Sequence, residues 1–187
     1  MLNTLITSKT RLKLLLKFFI NPDNTGYLRG LAKEFSESTN AVRKELNKLE
    51  EAGYLSVMEE VDRKKVFQAN QSHPLFKTIQ KLVRSSVGLD VLVAQVLNRI
   101  GGVTRIVIVE DYAKGIDSGL ISVVIEGDDL NSDYIYSLTE KIEDQIQREV
   151  QFFITNNYQG TGLVIYDGND LKDHYTENRI EQYITNE

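Results

Sequence analysis

Three short runs of apolar residues at helical spacing, each closed by a breaker, precede the first pair of strand-like segments. No other feature restricts the first half of the chain as much. Leu12, Leu15, Leu16 and Phe19 recur at i, i+3, i+4 and i+7, so they lie on one face of a helix. Thr7 or Ser8 opens that helix, and Asn21-Pro22 closes it, because proline lacks an N–H and steers the residue before it away from helical angles. A polar loop, Asp23-Asn24-Thr25-Gly26, follows. Leu28, Leu31, Ala32 and Phe35 repeat the helical spacing until Ser36-Glu37-Ser38 interrupts it. Either serine can start a third helix by accepting a backbone N–H bond. Val42, Leu46 and Leu49 face inward on that helix, and Gly53 suits the left-handed residue that ends it. Leu55–Glu59 and Lys65–Ala69 then pair as strands around the charged turn Val61-Asp62-Arg63-Lys64.

Helix, helix, helix, hairpin is the order of a winged helix-turn-helix. Such a unit holds one helix rigidly so that its outward side chains can enter the major groove of duplex DNA. With Val42, Leu46 and Leu49 inward, the outward set is Thr39, Asn40, Arg43, Lys44 and Asn47. Arginine bonds guanine bidentately, asparagine bonds adenine, and lysine and threonine bond phosphates. The hairpin tip adds Arg63, Lys64 and Lys65, a cation cluster suited to the adjacent backbone or minor groove. Charge agrees once the chain is divided. Residues 1–86 carry 15 Lys+Arg against 9 Asp+Glu, a balance of +6, whereas residues 87–187 carry 7 against 18, a balance of −11. A charged helix face that is merely solvated is the competing reading; the turn, the helix and the basic wing in sequence favour DNA.

The stretch Leu31-Ala-Lys-Glu-Phe35, followed by Ser36-Glu-Ser-Thr-Asn-Ala-Val-Arg-Lys-Glu-Leu-Asn-Lys-Leu-Glu-Glu-Ala-Gly-Tyr-Leu55, resembles the helix-turn-recognition-helix of bacterial ArsR-like winged-helix regulators. The likeness runs through the wing to Asn70-Gln-Ser-His-Pro-Leu-Phe76 and covers about the first 80 residues. It implies a homodimer on a roughly two-fold symmetric stretch of double-stranded DNA.

After the wing, Leu75, Ile79, Leu82 and Val83 form a helical stripe, Ser85, Ser86 and Gly88 mark a bend, and Val93, Val96, Leu97 and Ile100 make another helix. Strands are then expected at 105–109, 120–125, 150–155 and 162–166. A helical stripe lies on Ile135, Leu138, Thr139, Ile142 and Ile146, and a last helix near 171–184. Residues 103–155 resemble a minimal nucleotidyltransferase. Ile106-Val-Ile-Val109 looks like its first strand, and Glu110-Asp-Tyr-Ala-Lys-Gly115 like the turn whose amides cradle a triphosphate. Ser118-Gly119-Leu120-Ile121 falls where Ser-Asp-x-Asp would stand. In that family two carboxylates at i and i+2 point to one face of the strand and hold magnesium. Gly119 and Ile121 occupy both places here, Glu110 replaces a glycine of the turn, and Gln151 sits near the third carboxylate's position. The resemblance therefore implies a catalytically inactive domain. Asp111 and Asp117 remain nearby without paired spacing.

The sequence thus leads to an α+β protein: a winged helix-turn-helix over 1–72, connecting helices over 73–102 that help dimerise it, and a small nucleotidyltransferase-like α/β domain over 103–187. The expected function is DNA-binding transcriptional regulation by a non-enzyme. The second domain would sense an unknown small molecule or protein effector, or dimerise. The alternatives are a nucleotidyltransferase with a DNA-binding appendage and a protein-docking winged helix. No cofactor or metal site is expected. Cysteine is absent, which removes disulfides and thiolate metal sites. No apolar run approaches 20 residues and the first residues lack a signal-peptide pattern, so the expectation is a cytoplasmic protein with no membrane association. His73 and His174 are read as local hydrogen-bonding groups, and Tyr158, Tyr166, Tyr175 and Tyr183 as packing groups with a polar tip.

Overall fold

A computed structural model describes residues 6–59, 64–97, 100 and 102–168 of the chain. The fold is α+β and divides into two compact units. One comprises residues up to Val87 together with Asp111–Ser118; the other comprises Gly88–Glu110 and the chain from Gly119 onward. The expected last helix near 171–184, with His174, Tyr175 and Tyr183, lies outside the described residues.

In the first unit, helix α1 (Lys9–Phe19) starts where Ser8 accepts the Arg11 N–H at 3.2 Å. Its apolar surface is wider than the expected stripe. Leu14 and Phe18 are as deeply buried as Phe19 and Ile20, while Leu12 is only half-buried. Strand β1 (Thr25–Tyr27) replaces the expected polar loop and pairs antiparallel with β3. Three residues on a sheet edge are too few to leave a period-2 pattern, so only the partner strand reveals it. Helices α2 (Leu28–Glu34) and α3 (Thr39–Glu51) follow, then strands β2 (Leu55–Glu59) and β3 (Lys65–Ala69) in register Leu55↔Ala69 through Glu59↔Lys65. The sheet order is β1-β3-β2, so three helices are backed by a wing hairpin and a short third strand.

Helix α4 (Phe76–Ser86) completes this unit, but not on the expected face. Phe76 and Val83 are buried, whereas Leu75 and Leu82 stay about half exposed. Phe76 rather than Leu75 meets the core because its ring reaches Phe19, with ring centroids 5.8 Å apart. Arg84 donates from Nε (3.1 Å) and Nη2 (3.0 Å) to the Ile20 carbonyl, placing a cation at the C-terminal end of α1. A short helix, α6 (Glu110–Ala113), opens Asp111–Ser118, which packs on the same end of α1. The Ala113 carbonyl accepts from Asn21 Nδ2 (3.0 Å) and Asn24 Nδ2 (3.3 Å), and Tyr112 is fully buried. Gly115, at φ +76°, lies so close to Lys17 that a Cβ would fall 2.4 Å from its Cα, so only glycine fits.

In the second unit, α5 (Leu89–Leu97) precedes strands β4 (Val103–Val109) and β5 (Leu120–Gly127), which pair antiparallel. The expected single helical stripe is two helices, α7 (Ser132–Ser137) and α8 (Thr139–Ile146), joined at Leu138. They carry the chain across to β6 (Glu149–Thr155), parallel to β5, and β7 (Leu163–Asp167) pairs antiparallel with β4. The order is β6-β5-β4-β7. Residues 121–125 of β5 are buried on both faces, which is why they read as an unbroken apolar run rather than an alternation.

Candidate nucleic-acid interface

The interface is built on α3. Phe35 closes α2, Ser36 takes a left-handed φ of 53°, and Glu37 N–H bonds the Ala32 carbonyl at 2.9 Å, which reverses the chain tightly. Lys13 Nζ, from α1, holds this turn by donating to the Phe35 carbonyl (2.8 Å) and to Glu37 (3.1 Å). Of the two candidate serines, Ser38 starts α3, accepting the Ala41 N–H at 3.1 Å. At the other end, Gly53 N–H bonds Glu50 and Tyr54 N–H bonds Leu49, with Gly53 at φ +75°, the paired-bond ending that needs a left-handed residue. Val42, Leu46 and Leu49 are buried as expected.

Glu45 is also buried on that inward face, at 7 % exposure, a feature the apolar pattern hides. Its Oε2 accepts from Arg11 Nε at 2.8 Å and its Oε1 from the Ser8 hydroxyl at 3.2 Å. Burial works to raise the Glu45 carboxyl pKa. The hydrogen bond and charge of Arg11, with help from Ser8 and Lys48, outweigh it and hold the group below the ordinary glutamate value. One carboxylate thus ties α3 to the start of α1 and orients the helix whose other face is free.

Thr39, Asn40, Arg43, Lys44 and Asn47 are all exposed on that other face. Arg43 Nη1 donates to Asn40 Oδ1 at 3.3 Å. On the wing, Lys64 and Lys65 are exposed; Lys65 is also paired with Glu50 at 3.0 Å, so its charge is shared with an acid of α3. Arg63 lies outside the described residues. A concavity of about 530 Å³ is lined by Tyr27, Leu28, Arg29, Arg43, Leu46, Asn47, Lys64, Lys65 and Phe67. It brings together Arg43, Asn47, Lys64 and Lys65, and among the described residues its lining holds four cations and no acid. Arg29 and Tyr27 join the lining in addition to the expected residues. Arg29 was discoverable, because it stands on α2 between Leu28 and Leu31 and off the buried stripe. Tyr27 belongs to the concavity only through β1.

In the second unit, Ile121 is fully buried, so its side chain is committed to the core. Gly119 has φ +89° and open space around it. Glu110 adopts φ 57° and Gln151 is exposed on β6; in the first unit, Asp117 accepts a hydrogen bond from the buried Tyr112 hydroxyl. Among the described residues no group of three His, Asp or Glu side chains is placed to hold a metal ion. His73 accepts the Leu75 N–H at Nδ1 (3.1 Å) and its ring packs at a tilt against Tyr54, and Tyr158 packs on Val107, Val109 and Val124. No described helix is long and apolar enough to cross a membrane.

No protein-family model and no curated protein matches the sequence. Among solved structures, the crystal structure of the transcriptional regulator BldR from Sulfolobus solfataricus is similar over 78% of this chain and 80% of that one, at 14% identity and a TM-score of 0.35.

Proposed function

We propose that the chain is a DNA-binding transcriptional regulator that acts as a homodimer on double-stranded DNA through α3 and the wing. One observation carries this reading: five polar side chains are exposed on a capped helix, and two of them, Arg43 and Asn47, line a concavity that also gathers Arg29, Lys64 and Lys65. Thr39, Asn40, Arg43, Lys44 and Asn47 address the major groove. Arg29, Lys64 and Lys65 take backbone phosphates, and Arg63 extends the wing's charge.

The finer assignments are part of the same proposal. The first unit is an ArsR-like winged helix. The second is a nucleotidyltransferase-like domain without catalysis, supported by the β4–β5 hairpin, the α7–α8 crossover to β6 and the commitment of Ile121 to the core. It senses an effector or fixes dimer geometry. Any effector must bind the DNA-competent and incompetent arrangements with different affinities.

Selection of bound sequences from random duplex DNA, followed by titration at increasing salt, tests the proposal. A recurrent, roughly two-fold symmetric sequence with steeply salt-dependent affinity is expected. Failure to enrich any sequence, with no salt-sensitive binding to duplex, would leave the winged helix as a protein-docking module.

A further inference from the structure

Strand β6 ends its sheet: among the described residues the order is β6-β5-β4-β7, with nothing beyond β6. Two hydrogen bonds fix which way its backbone points. Glu149 N–H bonds the Gly119 carbonyl at 2.9 Å, toward β5. Val150 N–H instead bonds Glu143 Oε1 at 2.7 Å. Backbone groups alternate sides along a strand, so Glu149, Gln151, Phe153 and Thr155 engage β5, while Phe152 and Ile154 turn their N–H and C=O groups to the open edge.

An exposed edge of this kind is normally blunted by lysine, proline or a bulge, because it offers a template to another chain. The sequence Glu-Val-Gln-Phe-Phe-Ile-Thr contains no lysine, proline or glycine, and its one charge is at the first position. Phe153 stands 45% exposed at the centre of the uncovered part.

We propose that β6 pairs antiparallel with β6 of a second copy, about a two-fold axis through Phe153. In this register Phe152 lies opposite the second copy's Ile154 and exchanges its edge hydrogen bonds with it, apolar against apolar. Gln151 lies opposite the second copy's Thr155, polar against polar. The two Phe153 residues meet at a non-hydrogen-bonded position, where Cα atoms approach to about 4.5 Å and side chains are closest. No like charges oppose each other. A two-fold axis through Phe152 is disfavoured, because it would need the Val150 N–H that Glu143 already occupies. The result is one continuous sheet across two copies. About five residues a side bury less than a standard interface, so the dimer is weak and concentration-dependent. This gives the homodimer proposed above an interface.

The chain's lack of cysteine makes the test direct. In the full-length protein, Phe153→Cys places two thiols across the axis at a separation within disulfide range. Mild oxidation in the absence of DNA should convert it to a covalent dimer. Val164→Cys, 43% exposed on the opposite edge strand, should form no covalent dimer under the same treatment. Sedimentation of the cysteine-free chain should show a concentration-dependent dimer that Phe153→Lys abolishes without changing the circular-dichroism melt. The proposal is overturned if the unmodified chain stays monomeric at every concentration, if Phe153→Lys leaves the dimer intact, or if Val164→Cys crosslinks as fast as Phe153→Cys. Protection of the Phe152 and Ile154 amides from exchange in a monomer would also overturn it. Because no DNA is present, failure here and failure of DNA recognition are separately visible.

Discussion

Replacing Glu45 by alanine should loosen α3 without touching its exposed face. The carboxylate makes one charge-assisted hydrogen bond to Arg11 and a second bond to Ser8, with its side chain 10% exposed. A hydrogen bond to a charged group contributes about 1.5–3 kcal/mol and a neutral one about 0.5–1.5 kcal/mol. The Arg11 side chain is 37% exposed, so solvent screening pulls the first figure to the low end. A loss of about 2 kcal/mol follows, which for a unit of this size lowers Tm by roughly 10 °C. Thermal melts followed by circular dichroism measure it, and Glu45→Gln should lose less. The pH dependence supplies an independent check. Because folding lowers the Glu45 pKa from its ordinary 4.5, the unfolded chain binds the proton more tightly. The contribution is therefore fully present above that value and is lost as pH falls through the lower folded pKa. The wild type should lose more stability than Glu45→Gln over that acidic interval. A Glu45→Ala melt within about 1 °C of wild type, or identical acid profiles for wild type and Glu45→Gln, would refute the reasoning.

On a selected DNA site, Arg43→Ala should cost about 1–3 kcal/mol if Arg43 reads a base; an equal loss on random duplexes would reassign it to a phosphate. Arg29→Ala and Lys64→Ala should each weaken all sequences alike and lower the salt slope by about one phosphate's worth, measured by fluorescence-anisotropy titration across salt concentrations. Gly53→Ala should destabilise the first unit by about 1 kcal/mol in chemical denaturation, since a Cβ is strained at φ +75°, and Gly53→Asn should cost less. Magnesium and labelled nucleotides should give no incorporation; activity that Asp117→Asn abolishes would make the chain an enzyme.

The parts of this protein that the sequence determines alone are those set by local periodicity and caps. Val42, Leu46 and Leu49 recur at helical spacing, Ser38 precedes them and Gly53 follows, so α3 and its outward Thr39, Asn40, Arg43, Lys44 and Asn47 are legible without coordinates. Strands β4 and β5 are equally legible, because a sheet interior needs a continuous apolar run. What only the tertiary structure decides involves partners distant in the chain. Glu45 reads as a surface acid until Arg11 and Ser8, 34 and 37 residues earlier, arrive beside it. Thr25–Tyr27 reads as loop until β3 supplies its ladder, and Tyr27 and Arg29 join Lys64 and Lys65 only once the wing folds back on α2 and α3. On α4, Leu75 and Phe76 are both plausible core residues by spacing; the ring of Phe19 makes the choice. Periodicity records which face of a segment is apolar, but it carries no record of what that face meets, and burial, ion pairs and sheet edges are set by that meeting.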